Sequence, residues 1–303
     1  MALLLSGAAA KPPIDDPEAR LSDTLVSELV VRPGGPAWWT VSRGGREVHV
    51  LGVLWSYPAD KNWNQRRLER WLRSARELLL PAALAPGATN VADDDLPPSN
   101  WAVIPAALRE RIGRAATGLG KPPGRYLGRP PLIAGYLLVS DFRERMGLKP
   151  ETLTVQVAQA AGKAGVSARN VAVLPTDRYT KAMSSASDET GQACIEAALA
   201  EVEGGEDPMR EAIDGWTQGD VAAALAAPRG MELCGFAVPG QGDLRRAAID
   251  AQVEAIAKVL VGEQGARPTA HYVAVANLRT LLAQDGVLDK LRKRGYQVRS
   301  PQD

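Results

Sequence analysis

The chain has 303 residues, 45% of them hydrophobic, which is enough to bury the core of one large domain or two small ones. Its 36 Lys and Arg residues nearly balance its 35 Asp and Glu residues, so no long-range positive field favours nucleic acid or an anionic membrane as a partner. No stretch approaches the ~20 consecutive apolar residues of a membrane-spanning helix, so the sequence predicts no transmembrane segment.

The first 32 residues differ in character from the rest. Residues 1–10 combine a short apolar run with small residues, which is typical of the rear of a signal peptide that lacks its charged start; the alternative is a frayed apolar terminus. Residues 11–32 are polar and show little periodicity, and they predict an extended leader. We therefore expect an exported protein, periplasmic or associated with the cell envelope, or a cytoplasmic one if the start is not a signal remnant.

The predicted domain covers residues 33–303 and opens with a hairpin. Aromatic and β-branched residues predict strands over 38–42 and 47–51, joined by a tight turn at Gly44-Gly45, and the second strand ends at Gly52. Residues 63–80 carry apolar side chains at helical spacing, which predicts an amphipathic helix that runs into an apolar segment.

Helices alternate with strands in the remainder of the chain. The pattern predicts helices over 105–116, 132–146, 151–161, 192–203, 209–217, 220–226, 244–260 and 285–294, and strands over 170–174, 271–276 and 296–299. Such alternation is typical of an α/β fold. We expect a single domain with a mixed, largely buried β-sheet covered by helices.

Four segments, in order along the chain, carry a resemblance to a known family. They are the tryptophan-containing hairpin over 35–60, the Gly-Leu-Lys-Pro-Glu element that begins at Gly147 with its following Gly162-Lys163, the Trp216-Thr-Gln-Gly-Asp junction, and the segment 272–298 with its Asp285-Gly286 pair. Together they resemble the TraB/GumN family of metal-dependent hydrolases, whose distant relatives include the Tiki proteases. The resemblance spans about residues 33–299 and implies a TraB/GumN-like α/β domain.

The chain departs from the family pattern at the positions that carry its chemistry. The first Gly-x-x-His motif keeps Gly52 but has Trp55 in place of histidine, and the second has Asn277 for glycine and Thr280 for histidine. Two acidic positions at strand ends read Pro81 and Pro175. We call these six residues the vestigial motif positions. Asn277 tolerates left-handed backbone geometry better than other non-glycine residues, so we expect its bend to persist.

These departures predict the loss of metal chemistry. A catalytic divalent metal is generally held by about three ligands drawn from His, Asp, Glu or Cys, and Trp and Pro supply none. The leading hypothesis is therefore a pseudoenzyme without metal or other cofactor, whose cleft binds an unidentified ligand or envelope protein. Candidate ligand-binding residues near the motif loops are Trp55, Tyr57, Asp60, Asp177, Arg178 and Arg279. The alternative is a hydrolase with a non-metal or remodelled site in the same cleft, using residues of this group.

The resemblance also makes a geometric prediction. The strands that end at Gly52 and Ala276 should lie in one sheet with those ends at the same edge, where open α/β sheets build their clefts. Trp55 and Thr280 should then approach within roughly 15 Å, the scale of an ordinary ligand pocket. Trp55 either fills the former ligand space or forms an aromatic binding platform.

Two residue pairs lie outside this pattern. His49 and His271 precede the motif positions and should lie on the order of 20 Å away, towards the opposite end of the sheet. We interpret both as structural histidines; a two-histidine metal site at that end is the alternative. Cys194 and Cys234 are the only cysteines, and they either form a disulfide in an exported protein or remain two buried thiols.

Overall fold

The hairpin predicted near the start of the domain opens a six-stranded sheet in the computed structural model, which describes residues 13–27, 34–85, 101–175, 182–183, 185–262 and 271–301. Gly44 and Gly45 form its turn with φ values of 58° and 82°, which are the positive values that a type I′ turn requires. The strands of this sheet are β1 (Trp38–Arg43), β2 (Arg46–Val53), β4 (Ala75–Leu80), β7 (Ser167–Asn170), β9 (His271–Asn277) and β10 (Gln297–Arg299).

The sheet is mixed, as the sequence predicts. Its order is β10-β1-β2-β9-β4-β7; β1 pairs antiparallel with both neighbours, and β2, β9, β4 and β7 run parallel to one another. Two small sheets extend it: β3 (Ser56–Pro58) pairs with β6 (Leu148–Pro150), and β5 (Ala83–Leu84) with β8 (Val173–Leu174).

Helices cover the sheet and form a separate layer beside it. They are α1 (Asp23–Ser27), α2 (Arg66–Leu72), α3 (Ala106–Gly118), α4 (Gly124–Leu127), α5 (Pro131–Arg145), α6 (Thr152–Lys163), α7 (Asp188–Gly204), α8 (Asp207–Gln218), α9 (Val221–Leu225), α10 (Gly230–Phe236), α11 (Gln241–Val261), α12 (Leu278–Leu282) and α13 (Val287–Lys293). Among the described residues, no helix is both long and apolar enough to cross a membrane.

Two predicted elements are corrected by the structure. The helix expected over 63–80 is wrong beyond Leu72, because the chain turns at Arg73 and continues as strand β4. Leu78 and Leu79 of that strand are both fully buried, because strands of a parallel sheet are covered on both faces. Such a continuous apolar run cannot be distinguished by its pattern from the end of a buried helix. The strand expected over 170–174 is divided into β7, which ends at Asn170, and the separate β8.

The buried side chains form two clusters. One surrounds the six-stranded sheet, and the other lies among α3, α4, α5, α7 and α10. A disulfide joins Cys194 of α7 to Cys234 of α10 inside the second cluster. The segment 13–27, expected to be an extended leader, packs on the domain: Leu25 of α1 is buried in the sheet cluster, and Leu21 forms a β-bridge with Ala283.

Candidate functional site

The carboxyl ends of β2 and β9 meet at one edge of the sheet. Gly52 of β2 lies directly opposite Ala276 of β9 in parallel register, which confirms the predicted arrangement. Trp55 follows the first strand, and Asn277 and Thr280 follow the second. The vestigial motif positions of both Gly-x-x-His motifs therefore gather where open α/β sheets place their clefts.

Gly52 allows the first and fourth family-like segments to touch. A Cβ atom at this position would lie 2.6 Å from Leu278 Cδ1 and 3.0 Å from Trp39 Cζ3, so only glycine fits without rearrangement. The carbonyl of Gly52 accepts a hydrogen bond of 2.7 Å from Trp216 Nε1. The glycine of the first family-like segment thus contacts the tryptophan of the third.

Asn277 acts as a helix cap. The expectation of a left-handed bend here is wrong, because Asn277 has φ −58°. Its side-chain oxygen instead accepts hydrogen bonds from the backbone N–H groups of Arg279, at 3.0 Å, and Thr280, at 3.3 Å. Asparagine is among the preferred N-cap residues, and this role orients the start of α12.

Glu18 occupies the centre of this edge, although it belongs to the segment that precedes the domain. Its side chain is 2% exposed. The hydroxyl of Thr280 donates to Glu18 Oε1, and the same oxygen lies 3.3 Å from Arg245 Nε, while Oε2 lies 3.8 Å from Arg229 Nη2. A carboxylate from the N-terminal segment is therefore held at the position of the second lost histidine.

Trp55 reaches the same carboxylate through Arg245. The guanidinium carbon of Arg245 lies 5.5 Å from the Trp55 ring centroid, within the range of a cation–π contact, and Arg245 in turn pairs with Glu18. The two lost histidine positions thus meet around one ion pair, closer together than the limit of roughly 15 Å set by ordinary pockets. Both the filling and the platform interpretations of Trp55 remain consistent with this contact.

The space left at the edge is a cavity of about 50 Å³. Ligand pockets typically have about 300 to 1,000 Å³, so this cavity has room for about one or two water molecules while Glu18 is in place. Charged and polar side chains line much of it: Glu18, Arg143, Arg229, Glu232, Asn277 and Arg279.

Arginine side chains pair with carboxylates throughout the edge. Arg143, 3% exposed, donates to Glu201 at 2.6 Å and 3.0 Å and also pairs with Glu232 at 3.0 Å. Arg229 donates to both oxygens of Asp16, at 2.7 Å and 3.1 Å. Burial and the neighbouring Arg229 lower the pKa of Arg279 below its ordinary value, and Arg279 donates to the carbonyl of Leu225 at 2.6 Å.

The residues at this edge do not fit the metal that the resemblance implies. Trp55, Thr280 and Pro81 offer at most one neutral hydroxyl at the corresponding positions. Glu18 and Glu232, the carboxylates that line the cavity, are already bound by arginines. The arrangement is that of a carboxylate recognised by guanidinium groups, not of a cation recognised by carboxylates.

The structure separates the other predicted positions from this cavity. Pro81 and Pro175 lie beside the small β5–β8 sheet, and neither lines the cavity. Tyr57 is fully buried against Trp216, its hydroxyl has no hydrogen-bond partner, and burial followed by the charge of Asp214 raises its pKa to about 12. Asp60 is exposed in the turn after β3, and Asp177 and Arg178 lie outside the described residues.

Sequence reasoning missed the residues that form the centre of the site. Glu18, Arg229 and Arg245 lie outside the family-like segments, and only their charge marks them. The segment before the domain carries the acidic residues Asp15, Asp16 and Glu18, whereas lysine and arginine residues occur throughout the chain. Nothing in the sequence pairs these acidic residues with particular arginines.

Comparison with known proteins identifies the family of the chain. The model of the TraB/PrgY/gumN family matches residues 37–300. No curated protein and no solved structure gives a significant match. The match covers most of the chain and includes every segment that forms the six-stranded sheet. The chain therefore belongs to the TraB/PrgY/gumN family.

Proposed function

We propose that the chain is an exported, non-catalytic member of its family that binds a ligand or protein segment through a carboxylate group, in the place that Glu18 occupies. The observation that carries this proposal is the buried carboxylate of Glu18, held by Thr280, Arg229 and Arg245. Guanidinium groups are the preferred partners of carboxylates because their planar donors match the two oxygens.

The N-terminal segment serves as an internal occupant in this proposal. Asp16, like Glu18, is held by Arg229, so two neighbouring acidic side chains share one recognition surface. Because the segment is covalently attached, it competes with an external ligand as an intramolecular occupant of the cleft. An external ligand must therefore make more contacts with the cleft than the segment does. Trp55 and Arg279, which line the cavity, are the candidate residues for these additional contacts.

Export is supported by the disulfide between Cys194 and Cys234. Disulfides persist mainly in oxidising compartments, such as the periplasm and the extracellular space, and are rare in the cytosol. Both cysteines are fully buried in the helical cluster and neither lines the cavity, which favours a structural role over redox chemistry.

The alternative function is a hydrolase with a non-metal site in the same cleft, using Tyr57, Asp177, Arg178 or Arg279 as acid, base or electrostatic group. The burial of Tyr57 and its pKa of about 12 weigh against that residue as an acid or base near neutral pH. Turnover of peptide or ester substrates that Arg279→Ala abolishes would favour the alternative.

Chemical rescue tests the binding proposal directly. Glu18→Ala removes the carboxylate and leaves space for acetate, which has the same four heavy atoms as the deleted part of the side chain, whereas Glu18→Gln removes the charge and keeps the volume. We expect millimolar acetate to raise the Tm of Glu18→Ala, because a bound anion stabilises the folded state by mass action. The Tm of Glu18→Gln and of the parent should not respond. An equal response of all three proteins would show that the cleft does not accept an external carboxylate.

A further inference from the structure

Three side chains with metal-binding groups lie together at the opposite end of the sheet from the cleft. Glu47 and His49 are two residues apart on β2, so they point to the same face of the sheet. His271 is the first residue of β9 and lies directly opposite Glu47 in the parallel register. The topology of the two central strands therefore brings the three side chains together.

The geometry points to a binding site for a divalent transition-metal ion, with Zn²⁺ as the best match, formed by Glu47, His49 and His271, and we propose it as such. One ligand atom from each residue lies within 4.8 Å of the others. Glu47 Oε2 is 3.9 Å from His49 Nε2 and 3.8 Å from His271 Nδ1. Ligand atoms around tetrahedral zinc are about 3.3 Å apart, so side-chain adjustments on the order of 1 Å complete the site.

Both imidazole nitrogens that face Glu47 lack another partner. His49 Nε2 and His271 Nδ1 are buried and accept or donate no hydrogen bond. The whole His49 side chain is 2% exposed. A buried polar atom without a partner is destabilising, so such atoms are rare in folded proteins and each one requires an explanation, such as a bound ion. A single metal ion would satisfy both nitrogens.

The surrounding residues orient the three ligands. Thr40 Oγ1 lies 3.2 Å from His49 Nδ1, which leaves Nε2 as the metal-facing nitrogen, and the Trp71 ring stacks on His49 with centroids 3.5 Å apart. Arg299 donates to Glu47 Oε1 at 2.6 Å and leaves Oε2 directed at the histidines. Such outer partners are typical of metal-bound histidines and carboxylates, because they hold the ligand atoms in position.

The donor set also indicates which ions would bind. Two imidazoles and one carboxylate suit zinc and other borderline transition metals better than Mg²⁺ or Ca²⁺, which prefer oxygen ligands. His271 is partly exposed, so a water molecule can complete a fourth coordination position. A purely aromatic stack of Trp71, His49 and His271 is the competing explanation of the cluster.

Zinc titration of the full chain, after removal of bound metal with a chelator, tests the proposal. We expect calorimetry to give one equivalent of zinc for the parent, and His271→Gln and Glu47→Gln to lower the affinity at least roughly tenfold, since even outer partners of a metal change affinity about 10- to 100-fold. Glu18→Gln, which alters the cleft at the other end of the sheet, is the matched control and should keep the parent affinity.

Cobalt supplies a readout that a merely structural role would not change. Tetrahedral Co²⁺ bound by the parent should absorb in the visible range, and this absorption should be absent from His271→Gln and disappear when zinc is added. If the parent binds no zinc, or if both ligand variants keep the parent's affinity and the cobalt spectrum, the proposal is wrong and the three residues form an aromatic and ionic cluster only. Loss of zinc affinity in Glu18→Gln alone would instead assign the metal to the cleft and contradict both proposals.

Discussion

Single side chains at the sheet edge depart from the family pattern, while the strands around them follow the family-like arrangement. Thr280 stands where the family pattern has histidine, and its hydroxyl donates to Glu18. Asn277 replaces a glycine and orients the same turn through its side chain, as a cap of α12. Thr280 thus supports the Glu18 carboxylate, and Asn277 orients the turn that carries Thr280.

His49 gives a prediction about pH at this scale. Burial lowers its pKa from 6.5 to about 4; Glu47 opposes this shift, and His271 and Arg299 add to it. Since the folded-state pKa lies below the unfolded value, the stabilising contribution is complete above pH 6.5 and is lost as pH falls towards 4. Metal-free parent should therefore lose about 2 to 3 kcal/mol more unfolding free energy between pH 7 and 4.5 than His49→Gln.

Urea unfolding at a series of pH values, with a chelator present, measures this difference. The carboxylates of the chain titrate in both proteins, so the comparison isolates the contribution of the imidazole. Parallel curves for the parent and the variant over this interval would mean that His49 is not held neutral by its surroundings.

At the scale of elements, the sequence predicts the strands and helices whose patterns are locally complete. The hairpin β1–β2 and the strand β9 are found where aromatic, β-branched and glycine residues indicate them, and the family-like segments predict the parallel pairing of β2 with β9. The sequence predicts a helix end where strand β4 is found, because Leu78 and Leu79 are buried and show no alternation with polar residues.

The centre of the site could not be predicted in the same way. Glu18 and Thr280 are 262 positions apart, and their contact depends on how the N-terminal segment crosses the finished sheet edge. The β-bridge between Leu21 and Ala283 holds the N-terminal segment at this edge, and no local sequence pattern predicts a single bridge. The vestigial motif positions could be located from the resemblance. Glu18, the side chain that contacts Thr280 among them, could not.

The contact between β2 and α12 gives the prediction at this scale. Gly52→Ala places a methyl group 2.6 Å from Leu278 Cδ1 in a fully packed region, and overpacking of this kind costs about 1 to 3 kcal/mol. Gly113→Ala on α3 is the matched control, because a Cβ there meets no atom within 4 Å and alanine favours a helix interior by about 0.5 to 1 kcal/mol. Thermal unfolding should move in opposite directions for the two variants, and equal Tm values would contradict the packing argument.

At the scale of the whole molecule, the two central parallel strands carry both proposed sites at opposite ends. Glu47 and Gly52 are five residues apart on β2, which corresponds to about 17 Å along a strand. A carboxylate-binding cleft and a metal site can therefore coexist without sharing a ligand. The sheet cluster supports both of them, and the helical cluster, with its disulfide, lies beside the cleft.

Arg143 connects the helical cluster to the cleft. It projects from α5, binds Glu201 of α7 and Glu232 of α10, and donates to Ser56 Oγ of β3 at 3.2 Å. Burial acts to lower the pKa of Arg143, but the charges of Glu232 and Glu201 outweigh it and the net pKa is raised. A buried cation with two carboxylate partners specifies how the three helices meet the sheet edge.

Removal of one member of this network should be costly. Arg143→Met leaves the Glu201 carboxylate buried and without its guanidinium partner, which typically lowers unfolding free energy by about 3 to 5 kcal/mol. Adding Glu201→Gln should recover part of that loss, because an amide can remain buried without a charge. Arg145→Met on the same helix removes an exposed arginine and should change stability by about 1 kcal/mol or less. Urea unfolding of the parent and the three variants measures these differences. A double variant less stable than Arg143→Met would show that the lost unfolding free energy comes from packing of the long arginine side chain and not from the unpaired carboxylate.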